Sequence, residues 1–189
     1  MGLLDAFRKD EVVGAKVLVC ALGAKHEDLR RNDERIYRRF YPATTSLVAT
    51  TIAELRTALT QGCDIVHLLC DVDAEGALTD ATGARMTGAE VLKACVDSGV
   101  KLVWIASDNF AEQYNAGFQP KGMKLNVILT ERRLGPNCSL FIDNLLTRLA
   151  SGESFAKAWN VASKPEGKSV QPDVPHTITS LGRGSVILR

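Results

Sequence analysis

Acidic side chains gather where two apolar runs give way to polar sequence. Asp71, Asp73 and Glu75 lie in DVDAEG, directly after IVHLLC, and Asp108 follows KLVWIAS. Carboxylate oxygens are the ligands that Mg²⁺ and Ca²⁺ take. Two carboxylates held together raise the proton affinity of one of them, which makes an acid/base pair of the kind used in hydrolysis. DVDAEG has the look of a calcium loop, but the remaining ligands and the terminal Glu are missing from their positions, so the EF-hand pattern fails. A third use of the same carboxylates is recognition: an acidic pocket takes an arginine or lysine of a partner through charge-assisted hydrogen bonds.

Candidate nucleophiles are fewer. Cys70 and His67 sit three residues apart in one apolar run, and positions i and i+3 of a strand point to opposite faces, so they form no dyad with each other. Both read as core side chains. Ser107 is a hydroxyl that His26 or His176 would have to activate from other loops; at a strand end it reads first as a cap or turn residue.

The elements that must position these residues follow from periodicity. Ala15 to Leu22, Ser46 to Thr50, Asp64 to Val72, Lys101 to Ser107 and Lys124 to Thr130 are short apolar runs of buried-strand character. Between them lie a polar helix from about Glu27 to Tyr41, stopped by Pro42, and two helices opened by the capping boxes Thr51/Glu54 and Thr87/Glu90. Gly76 to Met86 reads as a hairpin-prone loop, and the stretch bearing Gly117, Pro120 and Gly122 as a mobile loop. Pro136 opens a helix to about Ala150, Glu153 to Ala162 makes another, and Val186 to Leu188 ends the chain as a strand. Ser163 to Pro175 is an exposed loop. Strands alternating with helices indicate a parallel, doubly wound sheet. Ligands of such a sheet bind beyond the carboxyl ends of its strands, which is where Asp71 and Asp108 fall.

With 189 residues, 46% of them apolar and 24% charged, the chain suits one globular domain spanning 1–189, with 1–13 as an N-terminal arm. A formal charge of +1 provides no general field for nucleic acid or an anionic membrane. Arg30, Arg31, Arg35, Arg38 and Arg39 are interleaved with Glu27, Asp28, Asp33 and Glu34, the pattern of a solvated helix face. Cysteines 20, 63, 70, 95 and 138 lack CxxC spacing and sit mostly in apolar runs, as buried thiols of a reducing compartment do. No stretch reaches the roughly twenty apolar residues of a membrane span, and the N-terminus has no signal-peptide core. A cytoplasmic protein with no nucleic-acid or membrane partner and no cofactor is expected.

Three segments carry a resemblance to a known family. DIVHLLCD resembles the strand that ends at the catalytic histidine of the CHAT branch of caspase-like cysteine peptidases. GALTDATGARMTGAEVL resembles the acidic-Gly turn and helix that follow, and KLVWIASDN the strand ending at the catalytic cysteine. SLFIDNLLTRLASGESFAKAW is similar to the family's paired helices, so the match runs over roughly residues 60 to 162. The resemblance implies a three-layer α/β sandwich with a mostly parallel central sheet. It puts Asp71 at the histidine position and Asp108 at the cysteine position, and Glu131-Arg132-Arg133 where the family has Trp-Pro.

A cysteine peptidase needs a thiolate with an imidazole in hydrogen-bond reach, and two carboxylates are no substitute. The resemblance therefore implies an inactive pseudo-protease that binds a protein partner, a peptidase or effector, in a bacterial defence or regulated-proteolysis system. Its expected binding residues are Asp71, Asp73, Asp108, Asn109, Arg132 and Arg133, with Lys121 and Lys124 on the rim. The competing expectation is a divergent hydrolase that uses Asp71 and Asp108, with or without a divalent metal.

Overall fold

A computed structural model describes residues 10–131, 136–163, 176–179 and 185–189. The chain enters through β1 (Glu11–Val12) and then β2 (Val17–Leu22), every residue of which is buried. In α1 (Glu27–Phe40), the salt bridges Arg31–Glu27 at 2.5 Å and Arg30–Glu34 and Arg38–Glu34, both at 2.8 Å, tie successive turns, while Tyr37 is buried. Arg31, Arg38 and Arg39 lie on the solvated face that the mixed charges imply, but Asp33 is buried beside His67, and Arg30 and Glu34 turn inward onto the Ser46 hydroxyl, which accepts from the guanidinium and donates to the carboxylate. Next come β3 (Thr44–Ala49), starting two residues earlier than the apolar run suggests, and α2 (Ile52–Leu59).

After β4 (Ile65–Leu69), the hairpin β5 (Ala77–Thr79) and β6 (Arg85–Thr87) leads into α3 (Gly88–Asp97). Both capping boxes form: the Thr51 and Thr87 hydroxyls accept from the backbone N–H of Glu54 and Glu90, whose carboxylates accept in return. Then follow β7 (Leu102–Ser107), the short α4 (Ala111–Tyr114), β8 (Asn126–Glu131), α5 (Pro136–Ala150), α6 (Phe155–Ala162), β9 (His176–Thr179) and β10 (Ile187–Leu188).

Six strands form the central sheet in the order β3-β2-β4-β7-β8-β9, the first five parallel and β9 antiparallel at one edge. One face packs Leu55 and Leu59 of α2 and Val91, Leu92 and Cys95 of α3; the other packs Tyr37 of α1, Leu145 and Leu149 of α5 and Phe155 of α6. The result is a three-layer sandwich with a sheet covered on both sides. β1 and β10 pair at the margin, where the Tyr41 hydroxyl donates to the Leu188 carbonyl at 3.0 Å.

The segment after β7 differs from the expected mobile loop. It is α4 and a turn of 3-10 helix, held by the completely buried rings of Tyr114 and Phe118. Tyr114 also donates from its hydroxyl to the Thr130 carbonyl at 2.9 Å. The signal was present in the sequence as two aromatics four apart, masked by the neighbouring glycines.

Those glycines serve a close approach. A Cβ at Gly117 would lie 2.6 Å from the Gly76 Cα, and one at Gly88 would lie 2.4 Å from the Gly117 carbonyl oxygen. The β5–β6 hairpin thus docks on the segment after β7 backbone to backbone. Gly117→Ala should overpack this contact and cost about 1–3 kcal/mol, lowering Tm by roughly 3–10 °C. Gly83→Ala, with φ +85° but open space around it, should lower Tm less. A Gly117 variant no less stable than the Gly83 variant in thermal denaturation would contradict the docking.

Candidate functional site

The sheet order reverses between β2 and β4, which are neighbours in space although the chain visits β3 in between. The helix after β2 lies on one face and the helix leading to β4 on the other, so the carboxyl ends of β2 and β4 flank a crevice. Asp71 stands there, two residues beyond β4.

Its neighbours come from the end of β2. Gly23, at φ 96°, turns the chain into a 3-10 helix, Ala24–His26, that delivers two basic side chains. The Lys25 ammonium pairs with Asp71 Oδ2, and the His26 Nε2 lies 3.6 Å from Asp71 Oδ1. His26 is wholly buried, whereas the Asp71 side chain is 47% exposed, so the carboxylate reaches from the protein interior to water. Sequence reading missed Lys25 altogether and considered His26 only as a partner for a serine. The available signal was Ala-Lys-His placed just after a strand that ends in glycine.

Asp108 stands one residue beyond β7, the strand next to β4. Leu69 pairs with Ala106 in the ladder and the Cys70 N–H donates to the Ala106 carbonyl at 3.1 Å, so Asp71 and Asp108 are equally far past the same register point. The two strand ends are stitched together. The Ser107 hydroxyl oxygen accepts from the Val72 N–H at 3.1 Å and the Asn109 N–H at 3.3 Å, and the Asn109 amide donates to the Val72 carbonyl. Ser107 is fully buried with two N–H groups on its oxygen, which is the work of a turn-forming hydroxyl. Asp108, Asn109 and Phe110 all face solvent, and Phe110 is one of two large apolar side chains described as exposed, at 49%.

Asp73 serves its own hairpin. Its Oδ1 accepts from the Glu75 and Ala77 N–H groups, each at 2.9 Å, and Arg85 bridges Asp73 and Glu75. The Ala77 N–H, with smaller help from Glu75 and the Arg85 guanidinium, holds the Asp73 carboxyl below its ordinary range. Among the described residues, no three His, Cys, Asp or Glu side chains come together to hold a metal ion. Arg132 and Arg133 lie outside the described residues.

Thiol chemistry finds no support in the interior. Burial pushes the Cys20 thiol up to about 12 and the Cys63 thiol up to about 11, and drives Cys95 upward as well. Such groups are thiols, not thiolates, at neutral pH. His67 and Cys70 face opposite sides of the sheet, as their spacing requires. The His67 ring stacks on Trp104 with centroids 4.9 Å apart, and its Nδ1 lies 3.2 Å from the Tyr37 hydroxyl.

No protein-family model matches the chain, and no curated protein matches it. Among solved structures it is similar to drICE, a caspase, with a TM-score of 0.56 and 13% identity over 96% of this chain and 91% of that one. The chain has a caspase-like fold. Among the described residues no helix is long and apolar enough to cross a membrane.

His67 gives this interior a titration signature. Burial draws its pKa from 6.5 to about 3, although the Asp33 carboxylate lies 3.7 Å from Nε2. The unfolded chain binds a proton at His67 below about pH 6.5 and the folded chain does not until about pH 3, so this contribution to stability is lost as pH falls between those values. Carboxyls held low in the fold, Glu34, Asp73 and Asp80, add their loss further down, below their ordinary values of 4.5 and 3.8. Guanidinium denaturation of His67→Phe should therefore show a flatter stability profile from pH 6.5 to 4.5 than the wild type. An unchanged slope in that window would exclude a buried neutral imidazole.

Proposed function

We propose that this chain is a catalytically inactive caspase-like domain that acts as a protein-binding, regulatory subunit, with its partner contact at the carboxyl ends of β2, β4 and β7. The observation that carries this reading is the state of Asp71. It stands at the switch point of the sheet, half-exposed, engaged by Lys25 and His26, and one strand away from the exposed Asp108 and Phe110. An exposed ion pair such as Lys25–Asp71 is worth about 0–1 kcal/mol, so a basic side chain of a partner displaces Lys25 at little cost. Phe110, two residues past Asp108, adds an exposed apolar surface suited to the stem of an arginine or lysine.

The pseudo-protease half of the proposal draws on residue chemistry. The strand ends carry carboxylates, and the buried thiols whose proton affinity is raised cannot attack a carbonyl. The CHAT resemblance extends this to a peptidase or effector as partner, within a bacterial defence or regulated-proteolysis system. A second reading, a divergent hydrolase at Asp71 and Asp108, is favoured by the shared register of the two carboxylates. Calorimetric titration with Mg²⁺, Mn²⁺ and Ca²⁺ separates the two: saturable heat that disappears in Asp71→Asn and Asp108→Asn supports the hydrolase.

Two outcomes are expected of the pseudo-protease. Acyloxymethyl ketone peptides with Asp, Arg, Lys or Leu before the reactive group should leave every cysteine unlabelled by mass spectrometry; rapid labelling of a native cysteine contradicts inactivity. In crosslinking pull-downs from the host, a peptidase or effector held by the wild type should fall at least about tenfold with Asp71→Asn combined with Asp108→Asn, the loss of one or two charge-assisted hydrogen bonds. Equal recovery would move the partner contact elsewhere.

A further inference from the structure

At the opposite end of the strands lies a feature that the carboxyl-end crevice does not use. Among the described residues β3 is the outermost strand of the sheet and pairs only with β2. The Ala43 and Ala49 carbonyls accept from the Val17 and Gly23 N–H groups, at 3.1 and 2.8 Å, so the odd-numbered residues of this segment turn their backbone groups toward β2. Their neighbours Ser46 and Val48, both half-buried, turn theirs to the open side, whereas Thr44 is buried. Edge strands are commonly guarded by charge, proline or a bulge. The sequence of β3, TTSLVA, has neither charge nor proline over six residues, and its register with β2 runs unbroken from Val17↔Thr44 to Leu22↔Ala49.

Beside the start of this strand is a cleft of about 410 Å³. Val17, Leu18 and Ala58 supply apolar lining, Thr45 and Cys63 are also part of its wall, and among the described residues Lys16 is the only charged one that lines it, with Asp64 adjoining, its Oδ2 accepting from the Lys16 N–H at 2.9 Å. Its volume falls in the range of small-ligand pockets, roughly 300–1,000 Å³. Thr45 and Leu47 alternate onto the face covered by α2, so an added strand would place every second side chain on that same face, above the cleft.

We propose that β3 takes an extended segment of a partner protein as a seventh strand, with one apolar side chain of that segment in the cleft and a carboxylate at Lys16. Main-chain hydrogen bonds to Ser46 and Val48 give the affinity, and the cleft and Lys16 give the choice of sequence. A basic segment is disfavoured by Lys16, and a second copy of the chain offers the uncharged TTSLVA strand, with no carboxylate for the ammonium. This surface lies at the amino ends of the strands, away from Asp71 and Asp108, and its failure leaves the reading of the crevice untouched.

The probe is a displayed library of hexapeptides with free carboxyl termini, followed by fluorescence anisotropy of the enriched peptides. Enriched sequences should alternate apolar residues with others and end on, or contain, a carboxylate. Ser46→Pro removes a donor from the open edge while sparing the ladder to β2, and should weaken binding about tenfold or more. Ser46→Ala, which keeps that N–H, and Asp71→Asn should bind as the wild type does. Lys16→Glu, on the exposed rim, should weaken binding about tenfold and decides the matter if circular dichroism shows Ser46→Pro unfolded. Absence of enrichment, unchanged binding to the folded Ser46→Pro variant or to Lys16→Glu, or a wild-type dimer in sedimentation that Ser46→Pro abolishes would each overturn the proposal.

Discussion

Helices cover both faces of the central sheet, so a side chain inside the inner strands β2, β4 or β7 is cut off from water whichever way it points. His67 is the clearest consequence. It lies in β4, stacked on Trp104 against the α1 side, and burial keeps its imidazole neutral down to about pH 3. Cys20 in β2 meets the same fate as a thiol raised to about 12. Groups that in another setting would titrate or attack near neutral pH are converted by desolvation into packing. Chemistry is left to the residues just past the strand ends, where the backbone returns to solvent.

How those ends are held then decides what they can do. The loop after β4 is fixed to the loop after β7 by the Ser107 hydroxyl and the Asn109 amide, both of which bind Val72. That leaves Asp71 free to turn toward β2, where Lys25 and His26 meet it from outside and inside. A carboxylate with one buried and one exposed basic neighbour is poised to exchange the exposed one. It is badly placed to act as a nucleophile, being charge-paired. The hairpin that carries Asp73 and Arg85 frames the same end of the sheet and is itself anchored by the contact of Gly76 and Gly88 with Gly117.

Much of this was readable in the chain because the deciding interactions are local. IVHLL and LVWIAS announce themselves as buried strands by unbroken apolar runs, and the two Thr-x-x-Glu capping boxes fix helix starts to the residue. Asp71 and Asp108 follow from strand ends alone. Lys25 was invisible because its value depends on a strand order that places β2 beside β4, and nothing in Ala-Lys-His states that order. The ordered segment around Tyr114 and Phe118 was hidden for a related reason: its glycines signal freedom locally and close packing only once the hairpin is opposite them. The antiparallel β9 has too little pattern of its own, since HTIT becomes a strand by pairing with β8.

The proposed function puts Asp71 and Asp108 at the two strand-end positions of a peptidase dyad on this caspase-like fold. The most direct measurement is to restore the dyad, combining Asp71→His with Asp108→Cys, and to follow labelling by a peptide acyloxymethyl ketone with mass spectrometry. The account predicts labelling at position 108 that falls when either substitution is made alone with its dyad partner absent. A folded double variant that stays unlabelled, or labels equally without the change at position 71, would contradict it.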